Sequence, residues 1–384
     1  MTASALTRPG ERDRLSVKFS EIDWRFAGLL FAIAGAGSMM LYSVSGGSWE
    51  PWAANHLIRF SLCFALMIAL GLVDLRVWMA SAYPVYALGL ILLICVELFG
   101  YTAMGATRWL NLGFTRIQPS EIMKIGIVLA LARFYHGASA KDASFSFKLL
   151  IPAAMIGAPV LLVAHQPDLG TAMLIALTGA AVMFMAGLSW KIIFTGVAGM
   201  AAAIPPFVMF VMHDYQRKRI LTFLDPESDP SGSGYHIMQS TISIGSGGPL
   251  GKGYILGSQS QLEFLPEKQT DFIFAALAEE FGFVGCFSLL LLYAAVILIA
   301  LRIASLSHSH FGRLSAAGVT ATFALYVLIN GAMVMGMAPV VGVPMPLLSY
   351  GGTVMLTVMI GFGLVMSTRV HRYLELPSGR GFFF

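Results

Sequence analysis

Residues 314–368 read LSAAGVTATFALYVLINGAMVMGMAPVVGVPMPLLSYGGTVMLTVMIGFGLVMST and contain no Asp, Glu, Lys or Arg. One helix over all 55 of these residues would run about 80 Å, whereas about 20 apolar residues cross a bilayer. Three prolines between 339 and 346, followed by Gly351 and Gly352, supply a break in the middle. The stretch therefore predicts two membrane spans joined by a short irregular connection.

The rest of the chain has a composition that agrees with a membrane protein. Of its 384 residues, 57% are hydrophobic and 11% are charged, whereas soluble domains carry about 25% charged residues. The net charge of +4 comes from cations spread over many segments, which argues against nucleic-acid binding. We predict an all-α polytopic protein with ten transmembrane helices, at 26–44, 57–73, 79–98, 119–135, 149–164, 169–188, 191–212, 271–301, 315–338 and 350–368.

The distribution of Lys and Arg predicts the orientation of these spans. Ten spans place both ends of the chain on one side, and with the ends inside, inner segments carry 15 of these cations and outer segments 8. The long polar segment 213–270 then lies outside the cytoplasm, between the seventh and eighth spans. We therefore predict a cytoplasmic tail at 1–25, one membrane domain at 26–372 and a second cytoplasmic tail at 373–384.

An acidic residue stands where the long polar segment re-enters hydrocarbon. Asp271 follows Thr270, a candidate N-cap, so we expect its carboxylate in the first turn of the eighth span. Charge at a membrane boundary is costly unless it is used. Two interpretations stay open: the carboxylate complements the helix dipole, or it acts as a general base in an outward-facing cleft.

Other ionisable residues lie in or beside the predicted spans. Glu121 and Lys124 are spaced i, i+3 on one face of the fourth span, where they can form a structural ion pair or part of a site. Asp168 opens the sixth span at the outer level, and Arg108 lies in the outer loop before the fourth. Groups of opposite sign from different spans are therefore expected to gather near the outer leaflet.

The long polar segment holds two further candidates for binding. A basic run at 215–220, which includes Arg219, faces lipid headgroups or clamps a phosphorylated lipid. The glycine-rich run at 245–253 matches neither nucleotide-binding pattern, and is either a flexible loop or a backbone nest for an oxyanion. Neither the histidines nor the three cysteines have metal-site spacing, so we predict no metal-ligating residues.

Six segments, taken together and in order, resemble the SEDS proteins (shape, elongation, division and sporulation), and the elongation members more than the division members. They are GATRW at 105–109, QPSEIMK at 118–124, QPDLGT at 166–171, GSGGPLGKG at 245–253, LEFLPEKQTDFIF at 262–274 and GVPMPLLSYGG at 342–352. The resemblance covers the chain from about residue 20 to 372. It implies a peptidoglycan glycosyltransferase that polymerises lipid II at the outer face of the bacterial cytoplasmic (inner) membrane during cell elongation and rod-shape maintenance. It also implies work with a class B penicillin-binding protein, the transpeptidase, and with the elongation machinery.

The resemblance also implies roles for individual residues. The essential Asp of the family falls on Asp271, its Glu/Lys pair on Glu121 and Lys124, and the Asp of its QPDLG motif on Asp168. Gln269 stands where many relatives have His, which argues against an obligatory His there. The tail after residue 372 matches nothing in the family.

The expected chemistry is an inverting glycosyl transfer. Asp271 would remove the proton from the C4 hydroxyl of an acceptor sugar, which attacks C1 of the lipid-diphosphate-linked donor chain. The leaving diphosphate needs charge stabilisation by Arg or Lys, by a divalent cation such as Mg²⁺, or by both. The candidate substrate-binding residues are Arg108, Arg219, Lys268, Lys124, Glu121 and Asp168.

Two other functions stay open at the level of sequence. The protein could be a flippase for lipid-linked precursors, although its polar residues cluster at one face rather than along a path through the bilayer. It could also be a non-catalytic scaffold that activates a penicillin-binding protein.

Overall fold

The helices of the computed structural model follow the predicted spans closely. It describes residues 15–377 except 104–105, 112–115, 138–146, 193, 197, 200–201, 203–216, 218–220 and 230–231. The helices, numbered here in chain order, are α1 (Leu15–Ser20), α2 (Trp24–Val44), α3 (Ala53–Gly71), α4 (Leu75–Phe99), α5 (Pro119–Gly137), α6 (Leu150–His165), α7 (Leu169–Met185), α8 (Ser233–Gly247), α9 (Ser258–Gln261), α10 (Ile273–Ser305), α11 (His310–Val334) and α12 (Gly352–Val370). Nine of the ten predicted spans coincide with helices in this part of the chain, and most of the seventh, 191–212, lies outside it.

Three short strands between α4 and α5 were not predicted. They are β1 (Tyr101–Ala103), β2 (Ala106–Asn111) and β3 (Arg116–Ile117), and they form an antiparallel sheet in the order β1-β2-β3. Strands of two to six residues have too few alternating side chains to give a sequence signal. Their effect is to fix the segment that carries Arg108.

Length and composition identify the membrane-crossing helices. Among the described residues, six helices are long and apolar enough to span a bilayer, namely α2, α3, α4, α10, α11 and α12. Helices α6 and α7 are apolar but shorter, and α5 carries buried charged residues. The chain is therefore a helical, polytopic membrane protein.

Several of these helices begin where a polar side chain caps the first turn. Asp23 accepts a hydrogen bond from the backbone N–H of Phe26 at the start of α2, and Asp74 accepts from Arg76 at the start of α4. Ser309 does the same for α11. Because the first N–H groups of a helix lack internal partners, such caps place the helix ends at defined residues.

The core is a string of aromatic rings that joins four helices. Phe26 of α2 contacts Phe362 of α12 edge-on, with ring centroids 5.0 Å apart. Phe362 in turn contacts Phe323 of α11 (4.9 Å), which contacts Tyr293 of α10 (5.6 Å). Offset and edge-to-face pairs of this kind stabilise a core beyond the area that they bury. The string fixes α10, α11 and α12 relative to one another.

The predicted break between the last two spans is present as the connection from residue 335 to 351. The Tyr293 hydroxyl donates to the carbonyl oxygen of Pro346 (2.6 Å), and the N–H of Met345 donates to the Ser349 hydroxyl (2.9 Å). The first bond holds the connection against α10, and the second closes a turn within the connection. We call residues 335–351 the α11–α12 connection.

The glycine-rich run is packed against α10 rather than being an open loop. Helix α10 is interrupted at Gly282 (φ 63°). At this interruption the N–H of Phe283 donates to the carbonyl oxygen of Gly248 (2.9 Å). The N–H groups of Lys252 and Gly253 donate to the carbonyl oxygens of Glu279 (2.9 Å) and Glu280 (3.0 Å). Since these donors already have partners, they are not available as an oxyanion nest.

Candidate active site

Asp271 lies in the turn that leads into α10, not in its first helical turn. The helix begins at Ile273 with Phe272 as N-cap, so the prediction that Thr270 caps it is wrong. The reason is a competing turn, in which the N–H of Thr270 donates to the carbonyl oxygen of Glu267 (3.0 Å) and its hydroxyl donates to the Glu267 side chain (3.1 Å). Asp271 is half-buried. The residue therefore stands on an irregular turn and is only partly covered.

The α11–α12 connection forms a wall beside this carboxylate. Gly342 has φ +70°, a conformation that glycine adopts without steric strain, and a Cβ there would lie 3.6 Å from Asp271 Oδ2. The N–H of Tyr350 donates to the carbonyl oxygen of Gln269 (2.8 Å), two residues before Asp271. The connection and the Asp271 turn are thus held together.

Asp168 and Arg108, predicted to lie at the same outer level, are brought together. Asp168 caps α7 by accepting from the N–H of Thr171, and its Oδ2 lies 3.6 Å from Arg108 Nε and 3.5 Å from Gln118 Nε2. Arg108 also donates to the carbonyl oxygen of Pro167 (3.0 Å). The Asp168 side chain is 5% exposed and that of Arg108 25%. The partly exposed Arg108 guanidinium therefore lies next to the buried Asp168 carboxylate.

The start of α7 reaches the same wall as Asp271. A Cβ on Gly170 would lie 2.4 Å from the carbonyl oxygen of Val341, the residue before Gly342. Only glycine permits so close an approach between a helix and a backbone carbonyl. The Val341–Gly342 segment therefore connects the Asp168 end of α7 with the Asp271 turn.

The predicted ion pair on α5 is present and buried. Lys124 Nζ lies 2.6 Å from Glu121 Oε1, with side chains 2% and 7% exposed. Lys124 also donates to the hydroxyl of Tyr326 on α11, and that hydroxyl donates to Glu121 Oε2 (3.4 Å). A largely apolar cavity between α5, α11 and α12 is lined by Lys124 and Tyr326. This low-polarity setting strengthens the attraction within the triad.

The remaining predicted residues are not shown to join this group. Lys268 donates through Nζ to the carbonyl oxygen of Ser260 (2.7 Å), within its own loop. Arg219 lies outside the described residues. In the part of the chain that the structure describes, no three His, Cys, Asp or Glu residues form a set that could ligate a metal.

Sequence reasoning missed three contributors to the site and one supporting ion pair. Tyr326 contacts the Glu121–Lys124 pair, and Asn330 contacts the Asp271 turn. Gly342 lies beside the Asp271 carboxylate, which a Cβ at this position would contact. The signal that could have pointed to Asn330 is an amide inside a span without charged residues. The ion pair joins Lys252 Nζ to Glu279 Oε1 (2.6 Å), a fully buried carboxylate of α10.

The arrangement combines a half-buried carboxylate with two cations that are linked to it through the α11–α12 connection and helix α11. A carboxylate such as that of Asp271 can accept a proton from a ligand that reaches it. Arg108, on the far side of the Val341–Gly342 segment, and Lys124, at the buried pair, supply positive charge. A carboxylate with separated cations suits the transfer of a group from an anionic leaving group.

Comparison with known proteins places this chain in a family. The FtsW/RodA/SpoVE model, described as a cell cycle protein, matches residues 23–374. The peptidoglycan glycosyltransferase MrdB of Escherichia coli K12 is 46% identical over 357 residues, 91% of this chain and 94% of MrdB. Stage V sporulation protein E of Bacillus subtilis is 32% identical over 352 residues, 88% of this chain and 94% of that protein.

Solved structures share the fold over nearly the whole chain. A chain of a peptidoglycan synthase complex, studied for the structural coordination of polymerization and crosslinking, has a TM-score of 0.79 and 32% identity, covering 92% of this chain and 98% of that one. The rod shape determining protein RodA of Thermus thermophilus has a TM-score of 0.68 and 27% identity, covering 92% and 98%. Motifs, fold and matches agree, and the chain belongs to the FtsW/RodA/SpoVE family of cell cycle proteins, the SEDS proteins that its motifs resemble.

Proposed function

We propose that this SEDS peptidoglycan glycosyltransferase polymerises lipid II with Asp271 as its general base. The observation that carries the proposal is the position of the Asp271 carboxylate. Asp271 is half-buried on an irregular turn, and its carboxylate lies beside Gly342 of the α11–α12 connection. The neighbouring residue of the connection, Val341, meets the start of α7. A carboxylate held in this way can reach a sugar hydroxyl while its backbone stays fixed.

In the proposed reaction Asp271 takes the proton of the C4 hydroxyl on the acceptor disaccharide. The C4 oxygen forms a bond to C1 of the donor strand from the face opposite the diphosphate. The bond between C1 and the diphosphate oxygen breaks, and the lipid diphosphate leaves with its electron pair. Because diphosphate is a good leaving group, one carboxylate suffices and no acidic partner is needed.

The charge of the leaving diphosphate is met by cations near the site. Arg108 has an open side and a guanidinium suited to bidentate phosphate contacts, so we assign it first. Lys124 is buried with Glu121, and we assign this pair to the floor of the cavity. A divalent cation such as Mg²⁺ would be carried by the diphosphate itself, since Mg²⁺ is commonly bound through substrate phosphates. Asp168 orients Arg108, and Arg219 and Lys268 are further cations for the headgroup.

The proposed setting is the bacterial inner membrane. Ten spans, with residues 191–212 as the seventh, place both termini in the cytoplasm and residues 213–270 outside. Asp271 then faces the compartment in which glycan strands are assembled. The described part of the outer segment is packed, because Ser240 and Ser243 of α8 donate to carbonyl oxygens of Val334 (2.6 Å) and Ala275 (3.1 Å).

We further propose a class B penicillin-binding protein as partner. The support is the likeness to a chain of a solved synthase complex that couples polymerization to crosslinking. Strand synthesis and crosslinking then occur in one assembly, within the elongation machinery.

The test is glycan strand synthesis from lipid II by the purified protein with its partner. Asp271→Asn is expected to lose synthesis while it still binds the partner and keeps its melting temperature. Asp74→Asn is the matched control, because Asp74 caps α4 and Asn caps equally well. Normal synthesis by Asp271→Asn would refute the base assignment. Normal cell shape in cells whose sole copy is Asp271→Asn would favour the scaffold, and lipid II translocation by liposomes holding the protein alone would favour the flippase.

A further inference from the structure

We propose that Asn330 is a positioning residue that sets the distance between the Asp271 turn and the α11–α12 connection. The inference rests on the proposed role of Asp271. Asn330 touches the backbone of Asp271 rather than its carboxylate, so it acts on the reaction through that residue.

The geometry is a two-armed clamp. Asn330 Nδ2 donates to the carbonyl oxygen of Asp271 (2.8 Å) and to the carbonyl oxygen of Val343 (2.8 Å). Both partners can only accept, so the amide nitrogen is the one atom of the side chain that can serve them. One side chain thus ties the residue that bears the carboxylate to the residue after Gly342, which faces that carboxylate.

Helix α11 gives the clamp a rigid base. Asn330 is fully buried, and it lies one turn from Tyr326, which contacts Glu121 and Lys124. Residues four apart share a face of a helix, so one face of α11 contacts both the Asp271 turn and the buried ion pair. A side chain on a packed helix holds its partners more closely than one on a loop.

The carbonyl oxygen of the Asn330 side chain indicates that this residue does not maximise the stability of the core. Asn330 Oδ1 is buried and accepts no hydrogen bond from the described residues. A buried acceptor without a partner costs free energy, which an apolar residue of similar volume would avoid. The two donated bonds, and hence the spacing that they impose, are what the amide contributes.

A graded series of substitutions tests the clamp. Asn330 has two donated bonds, Ser could donate one, and Leu has a similar volume and donates none. We expect kcat for lipid II polymerisation to fall in this order, about 100-fold for Asn330→Leu, because a misplacement of about 1 Å has that effect. The KM for lipid II should stay unchanged, since the substrate contacts are retained.

Thr320→Val is the matched control on the same helix. Thr320 is buried, and its hydroxyl donates to the carbonyl oxygen of Ala316 within α11 (2.7 Å) and to no other described residue, so its loss should leave kcat unchanged. An equal fall in kcat for Thr320→Val would assign the effect to helix packing and overturn the clamp.

The outcomes separate this inference from the base assignment. Synthesis by Asp271→Asn would refute the base. Loss of synthesis in Asp271→Asn, with wild-type kcat in Asn330→Leu, would refute the clamp alone. If Asn330→Leu does not fold, Asn330→Ser decides: a kcat equal to that of the wild type, or a change confined to KM, overturns the proposal.

Discussion

Gly170 gives the most quantitative prediction, because the cost of adding one methyl group there can be read from distances. A Cβ at this position would lie 2.4 Å from the carbonyl oxygen of Val341, whereas ordinary contact begins near 3.4 Å. The helix and the Val341–Gly342 segment must therefore separate by about 1 Å, a displacement that can cost about 100-fold in rate when it reaches a catalytic group. We expect Gly170→Ala to lower polymerisation by about this factor, or about 2.7 kcal/mol in the barrier.

The assay is the initial rate of glycan synthesis from lipid II, measured with the partner present and alongside the melting temperature. Gly157→Ala is the matched control, since within the described part of the chain no heavy atom lies within 4 Å of a Cβ on this glycine of α6. A helix interior generally gains up to about 1 kcal/mol from such a change, so the control should be active and at least as stable as the wild type. If Gly170→Ala has the rate and stability of the wild type, the contact between Gly170 and Val341 does not position the Val341–Gly342 segment beside Asp271.

Two further predictions concern the buried pair and the orientation of the chain. Glu121→Gln should destabilise the protein by about 3–5 kcal/mol, because it leaves the Lys124 charge buried without its carboxylate. The double variant Glu121→Leu with Lys124→Leu should recover stability but not synthesis. If a thermal melt and a polymerisation assay show that it recovers both, the pair is purely structural. The orientation can be tested with Glu263→Cys and Arg76→Cys in a protein whose native cysteines have been replaced. On intact spheroplasts, a membrane-impermeant maleimide should label Glu263→Cys and not Arg76→Cys. The reverse labelling pattern would mean that the proposed topology is inverted.

Much of the membrane architecture followed from local patterns in the sequence. The charge-free stretch 314–368 predicted two helices with a break, and these are α11, α12 and their connection. The i, i+3 spacing of Glu121 and Lys124 predicted their ion pair, because it depends on one helix alone. The proximity of Asp168 and Arg108 followed from placing the span ends at a common level.

What the sequence did not predict depends on contacts between distant segments. Thr270 has the residue type of an N-cap, but its N–H and hydroxyl bond to Glu267 in a separate turn, and α10 starts two residues after Asp271. Asn330 looks like any polar residue in a span, since its partners at 271 and 343 become neighbours only after folding. The packing of the glycine-rich run could not be seen either, because it depends on the interruption of α10 at Gly282.

The central claim is that the Asp271 carboxylate accepts the proton of the attacking hydroxyl. Its most direct test is the turnover rate of lipid II polymerisation by the Asp271→Asn protein in complex with its partner, relative to wild type. A single positioned base contributes about 10²–10⁴ in rate, so the account predicts a loss of at least about 100-fold in a folded, partner-bound protein. A rate indistinguishable from wild type would contradict it.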